Sequence, residues 1–111
     1  DEKTLTLIAQ ILEGNDAARA SLAEAPGDYN RPLVGMYGYF YGQAASTDKE
    51  TQHAIALMTM APEALERPQV HLQVAKSHLQ LKQIADAKTV LLDITNKHPD
   101  FAPAQELLKT L

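Results

Sequence analysis

The side chains in this sequence best suited to chemistry are four histidines and a few carboxylates. His71 and His78 stand seven residues apart, about two helical turns, so one helix face would carry both imidazoles. A pair at that spacing could reach a metal ion. A zinc site needs three or four protein ligands, however, and no third ligand stands at metal spacing. There is no cysteine at all, which also excludes disulfides and thiolate chemistry. A metal is therefore not expected at His71 and His78. Glu63 and Glu66 could serve as acid and base, but that work needs a partner held within hydrogen-bond reach. They flank a short insertion expected to be exposed rather than a pocket. His53 and His98 are single polar residues on or near helices, expected in solvent. No G-x-S-x-G elbow, phosphate loop or HExxH helix occurs. The reading is of a chain with no catalytic residue, no metal and no cofactor.

The elements that must position these side chains follow from composition and period. A chain of 111 residues is long enough for one domain with one modest core. Its hydrophobic residues, 45% of the total, are led by Ala and Leu with little to build strands, which predicts an all-α domain. A net charge of −4 and the lack of a basic cluster argue against nucleic acid as partner. No apolar run approaches the roughly 18–20 residues that span a bilayer, so no direct membrane insertion by this segment is expected. The chain begins at Asp1 without Met, signal peptide or targeting motif, as a processed chain or a piece of a larger protein would.

Periodicity places the helices. In residues 68–101, Val70, Val74, Ala75 and Leu81 share one side of a first helix, and Ile84, Ala87, Leu91 and Ile94 one side of a second. Only a couple of residues near Lys82–Gln83 are free to turn, so the two must lie antiparallel, with Ala75 and Ala87 at the closest approach. Upstream, Asp1–Glu13 reads as a helix with Leu5, Ile8, Ala9 and Leu12 on one face. Gly14 ends it, Asn15 or Asp16 caps a short helix over Ala17–Ala25, and Pro26-Gly27-Asp28 stops that one. Leu33–Ala45 holds Tyr37, Tyr39, Phe40 and Tyr41 within five residues, which favours a strand. Gly35, Gly38 and Gly42 decide for a helix, since at three- and four-residue steps they make a smooth stripe that a neighbour can approach. Thr47 and Glu50 form a capping box for a helix over Asp48–Met60. Pro62–Arg67 has room for one turn, Pro68 suits a first helical position, and Ala102–Leu111 reads as a last helix docking on the final hairpin.

Residues 68–101 resemble the tetratricopeptide repeat, a helix–turn–helix of about 34 residues with the pattern W-x2-L-G-x2-Y, A-x3-F and a terminal P. With Pro99 as that proline, His71, Val74, Ala75, His78, Ala87 and Leu91 fall on the other signature positions without a gap. Both first-helix aromatics are then histidines, which the resemblance implies to be packing residues between helices, partly buried and neutral, and Ile94 stands where a small apolar residue is usual. The same frame ending at Pro62 puts Gly38 and Tyr41 on the signature glycine and tyrosine, Val34 and Tyr37 on the remaining first-helix positions, and Ala54 and Leu57 on the second helix. Glu50 departs from the pattern, standing for an alanine. The resemblance covers residues 31–111. It implies antiparallel helical hairpins stacked as a short right-handed superhelix: an N-terminal hairpin at 1–30, repeats at 31–64 and 68–101, and a capping helix at 102–111 that covers the otherwise bare apolar end.

The same resemblance implies a function. The concave face of such a superhelix is lined by particular first-helix positions, which map here to Met36, Tyr39, Gln43, Gln69, Leu72, Gln73, Lys76, Leu79 and Gln80. Tyr39, Leu72 and Leu79 would be apolar anchors in a largely uncharged groove, with glutamines holding the backbone of a protein or peptide partner at roughly micromolar affinity. Tyr37, Phe40 and Tyr41 are read as packing residues. Gly35 and Leu72 stand where some family members clamp an acidic peptide C-terminus, so that ligand is not expected. Alternatively the terminal helices cover these side chains. In the other functional reading the domain is structural: it makes its parent protein a homo-oligomer or spaces it from a membrane, without a separate ligand.

Overall fold

Capping residues and proline positions cut the chain into eight helices, and the computed structural model describes all of Asp1–Leu111. Asp1 caps α1 (Glu2–Leu12) through its Oδ1, which accepts from the Thr4 N–H at 3.1 Å. The buried Thr4 hydroxyl donates back to Asp1 at 2.8 Å and accepts from the Asn30 N–H at 2.9 Å, tying the N-terminus to the start of a later helix. Gly14, at φ +87°, ends α1, and the Asn15 side chain accepts from Ala17 and Ala18 to open α2 (Asp16–Glu24). A single 3-10 turn, Pro26–Asp28, leads to α3 (Arg31–Ala44), capped by Asn30. The Thr47–Glu50 capping box is formed at α4 (Asp48–Thr59), with Thr47 accepting at 3.2 Å and Glu50 at 3.1 Å. Prolines start the one-turn α5 (Pro62–Leu65) and α6 (Pro68–Gln80), where the missing N–H costs nothing. α7 (Ile84–Lys97) and α8 (Ala102–Lys109) complete the chain.

The all-α expectation holds, and no strand is present. No helix is long and apolar enough to cross a membrane.

The helices pair as antiparallel hairpins. α3 packs on α4, α6 packs on α7, and α6 also lies against both α3 and α4, with α5 wedged beside α3. The short α6–α7 turn closes with the Lys82 N–H on Leu79 O at 2.9 Å and the Gln83 N–H on His78 O at 2.8 Å. That bonding pattern requires a left-handed residue, and Lys82 supplies it at φ +62°. The main apolar cluster joins α1, α2, α3, α4, α5 and α6 around Ile8, Leu22, Val34, Leu57, Met58 and Val74. A smaller one, Leu72, Ala75, Leu91, Ile94 and Ala104, lies where α8 closes the far end of the last hairpin. Each large side chain fully buried in these clusters contributes roughly 1.5–3 kcal/mol.

The α1 face sits in a different phase from the sequence reading, and the α7 face differs at one residue. On α1 the buried residues are Thr4, Leu7, Ile8 and Ile11, while Leu5, expected inside, is 45% exposed. On α7 Ala87, Leu91 and Ile94 are buried as expected, but Ile84, the first residue of the helix, is half exposed.

Candidate functional site

α3 is built with one smooth side. Val34, Gly35, Gly38 and Gly42 face its neighbours, Gly35 meeting Ala61 and Ala64 and Gly42 meeting Ala54 and Gln73. With about 100° between successive residues, this turns Phe40, Met36, Gln43 and Tyr37 to the other side. Phe40 is 60% exposed and Tyr37 41%. Packing was expected for Tyr37, Phe40 and Tyr41; Tyr41 is half-buried against the main cluster, Tyr37 keeps two fifths of its surface in solvent, and Phe40 is mostly exposed. The correction has a plain cause: Tyr37 stands two positions from Gly35, and Phe40 two from both Gly38 and Gly42, so each is turned away from the face that the glycines take. That signal was in the sequence. Tyr39 is half-buried and meets the Phe40 ring edge to face, centroids 5.2 Å apart at 66°. Burial raises the Tyr41 phenol above its usual value, with smaller contributions from the Glu50 charge and Tyr37.

The nine side chains nominated as groove residues divide in two. Gln43 is exposed on α3, whereas Met36 and Tyr39 are half-buried against the main cluster, with Arg67 Nη1 4.0 Å from the Met36 sulfur. Gln69, Lys76 and Gln80 are exposed on α6, and Leu79 is half-buried there. Gln80 is already occupied, its amide donating to Ala45 O at 3.0 Å and so bracing α6 against the α3–α4 loop. Leu72 and Gln73 are closed to solvent, at 7% and 8% exposure. Leu72, expected as an open anchor, sits in the terminal cluster with Ala104 of α8. Gln73 fills the hollow left by Gly42 and donates to Ser77 at 3.2 Å. The nominated set is therefore closed at Leu72 and Gln73 in the middle of α6, with Gln43 on α3 and Gln69, Lys76 and Gln80 on α6 exposed.

The histidines distribute differently from the sequence reading. His71 is largely covered, with 13% of its side chain exposed, and its Nε2 stands 3.9 Å from Asp93 Oδ2, beyond a hydrogen bond. Lys97 holds that same oxygen at 3.2 Å. Burial lowers the His71 pKa; Asp93 opposes it, while Lys97 and His98 add to it. Glu66 and His98 line the same cleft, about 490 Å³, between α5 and α7. His78 is partly buried, and its Nδ1 lies 2.7 Å from Gln83 Oε1 across the turn. His53, expected in solvent, is 8% exposed, because α4 is covered on that side by the α1–α2 hairpin. Burial lowers its pKa, aided by Arg19 and Lys49 and opposed by the Leu12 main chain. Glu63 pairs with Arg31 at 2.6 Å. No three His, Cys, Asp or Glu side chains are placed to hold one metal ion.

The chain matches no protein-family model, no curated protein and no solved structure.

Proposed function

We propose that this domain is a protein- or peptide-binding module of tetratricopeptide-like architecture whose working surface is the outer side of α3 with the exposed residues of α6. The observation that carries the reading is α3 itself. A helix that gives its inner face to glycines and sets Phe40 60% into solvent keeps an apolar surface that the fold does not need. The partner segment lies along Met36, Tyr39 and Gln43 and reaches Gln69, Lys76 and Leu79 at the edge of α6. Covered Leu72 and Gln73 take no part. The order of packing supports the architecture. Two antiparallel hairpins follow in sequence, the first helix of the second lies on both helices of the first, and a short helix caps the end. One open face of this size suits roughly micromolar affinity.

The test is selection of a displayed peptide library on the immobilised domain, followed by anisotropy titration of the enriched peptides. Binding weakened by Tyr39→Ala and Met36→Ala but not by Lys88→Ala on the far side of α7 supports the reading. No enrichment, or binding indifferent to the α3 variants, contradicts it.

A second reading is self-association, favoured by Ile84 and Leu92, both about half exposed on α7. Molecular mass measured across a concentration series separates the two.

A further inference from the structure

Tyr37, Phe40 and Tyr41 line an open notch of about 320 Å³ in which no other residue forms the wall. Aromatic faces carry negative electrostatic potential, so a notch walled only by rings favours a cation over an aliphatic group of the same shape. A carboxylate stands near it: the Glu50 charge acts on the Tyr41 phenol. No cation of the chain fills the role, the one ammonium seated over a ring being Lys3 on Tyr29, 4.9 Å from its centroid. The net charge of −4 draws the same kind of partner.

We propose that the Tyr37–Phe40–Tyr41 notch takes the ammonium of a lysine side chain, plain or methylated, on the segment that binds along α3. This rests on the peptide-binding reading above and names its partner's chemistry. A second copy of the chain fits poorly. The exposed parts of Tyr37 and Phe40 come to roughly 200 Å² for rings of their size, against about 800 Å² per partner in a standard interface. A second copy would also bring the same negative net charge. A proline-rich segment can stack on aromatic rings as well, but there tyrosine hydroxyls serve as donors to its carbonyls. Binding of an ammonium needs only the ring faces.

The experiment is an NMR titration of the isotope-labelled domain with four Gly/Ser peptides of equal length. One carries a central trimethyllysine, one lysine, one the neutral isostere with carbon in place of the ammonium nitrogen, and one a pair of prolines. The trimethyllysine and lysine peptides are expected to shift Tyr37, Phe40 and Tyr41, with the isostere about fivefold weaker or more. Phe40→Ala should lose about tenfold, and its exposure leaves the fold intact. Tyr37→Phe should bind as wild type. Glu50→Gln, which keeps the capping box, should weaken binding two- to threefold and flatten its salt dependence. An isostere that binds equally well overturns the ammonium and leaves peptide binding standing. So does tight binding of the proline peptide that Tyr37→Phe abolishes. Tetramethylammonium chloride binding as tightly as the peptides overturns the peptide as its source. Trimethyllysine shifts that miss the notch overturn the proposal, and if library peptides also fail to bind, the underlying reading falls with it.

Discussion

Gly38 and Leu57 touch so closely that a β-carbon on Gly38 would stand 2.8 Å from the Leu57 Cβ, and 3.0 Å from the Met58 backbone nitrogen. Neither atom is the far end of a flexible side chain, so the α3–α4 spacing is set by the absence of that one carbon. In an open helix Gly→Ala gains about 1 kcal/mol; here overpacking of about 1–3 kcal/mol opposes it. Gly38→Ala is therefore expected to lose up to about 2 kcal/mol in urea unfolding. Gly35→Ala, whose new carbon would collide with Ala64, should lose at least as much. Gly42→Ala meets Ala54 at 3.3 Å and the flexible Gln73 at 3.4 Å and should be near neutral. Gly27→Ala, with nothing within 4 Å, is the control and should not destabilise. Equal effects at all four positions would refute the close packing.

The glycine spacing marks how far the sequence carries. It identified α3 as a helix against the pull of four aromatics, as the Thr47–Glu50 box identified the start of α4, because each is a local rule written in adjacent residues. The phase of an apolar face depends on what packs beside it. Leu5 and Ile8 share a face by period alone, yet Thr4, Leu7 and Ile11 are the ones that go inside with Ile8, because the start of α3 binds Thr4. His53 is polar and isolated in sequence, and only the α1–α2 hairpin folding over α4 buries it. Leu72 was legible as an apolar residue without a partner in its own hairpin; that α8 supplies the partner is a long-range fact. For the candidate site, Gln43 is exposed while Met36 and Tyr39 are half-buried against the main cluster, and Phe40 was missed although it stands nearly opposite the glycine stripe.

Lys82 holds the left-handed position that closes the α6–α7 turn, a place where a side chain costs about 1 kcal/mol and glycine does not. Lys82→Gly should stabilise the domain by up to about 1 kcal/mol, a rise of roughly 4 °C in Tm. An unchanged or lower Tm would mean that the turn is not closed in this way.

Leu91 is fully buried in the terminal cluster between α6, α7 and α8. Leu91→Ala leaves a cavity there and should cost about 2–5 kcal/mol, a large part of the stability of a domain this size. A midpoint that barely moves in chemical denaturation would contradict the packing of α7.

His71 is depressed in the folded state, chiefly by burial, with His53 shifted the same way. The unfolded chain therefore binds the proton more readily below its own value of about 6.5. Stability should be constant above that pH and fall as pH drops from 6.5 through the depressed folded value. His71→Gln should flatten this loss in melts at pH 7.5 and 5.0, leaving the part due to His53. A slope that His71→Gln leaves unchanged would overturn the assignment.

The outward side of α3 as the binding surface is tested most directly by mapping a library-selected peptide on the labelled domain. Binding there shifts the amides of Met36, Tyr39, Phe40 and Gln43 together, saturating at roughly micromolar peptide, and leaves Ile84, Lys88 and Leu92 unmoved. Shifts confined to α7, or to α8 and the side chains it covers, would contradict the account.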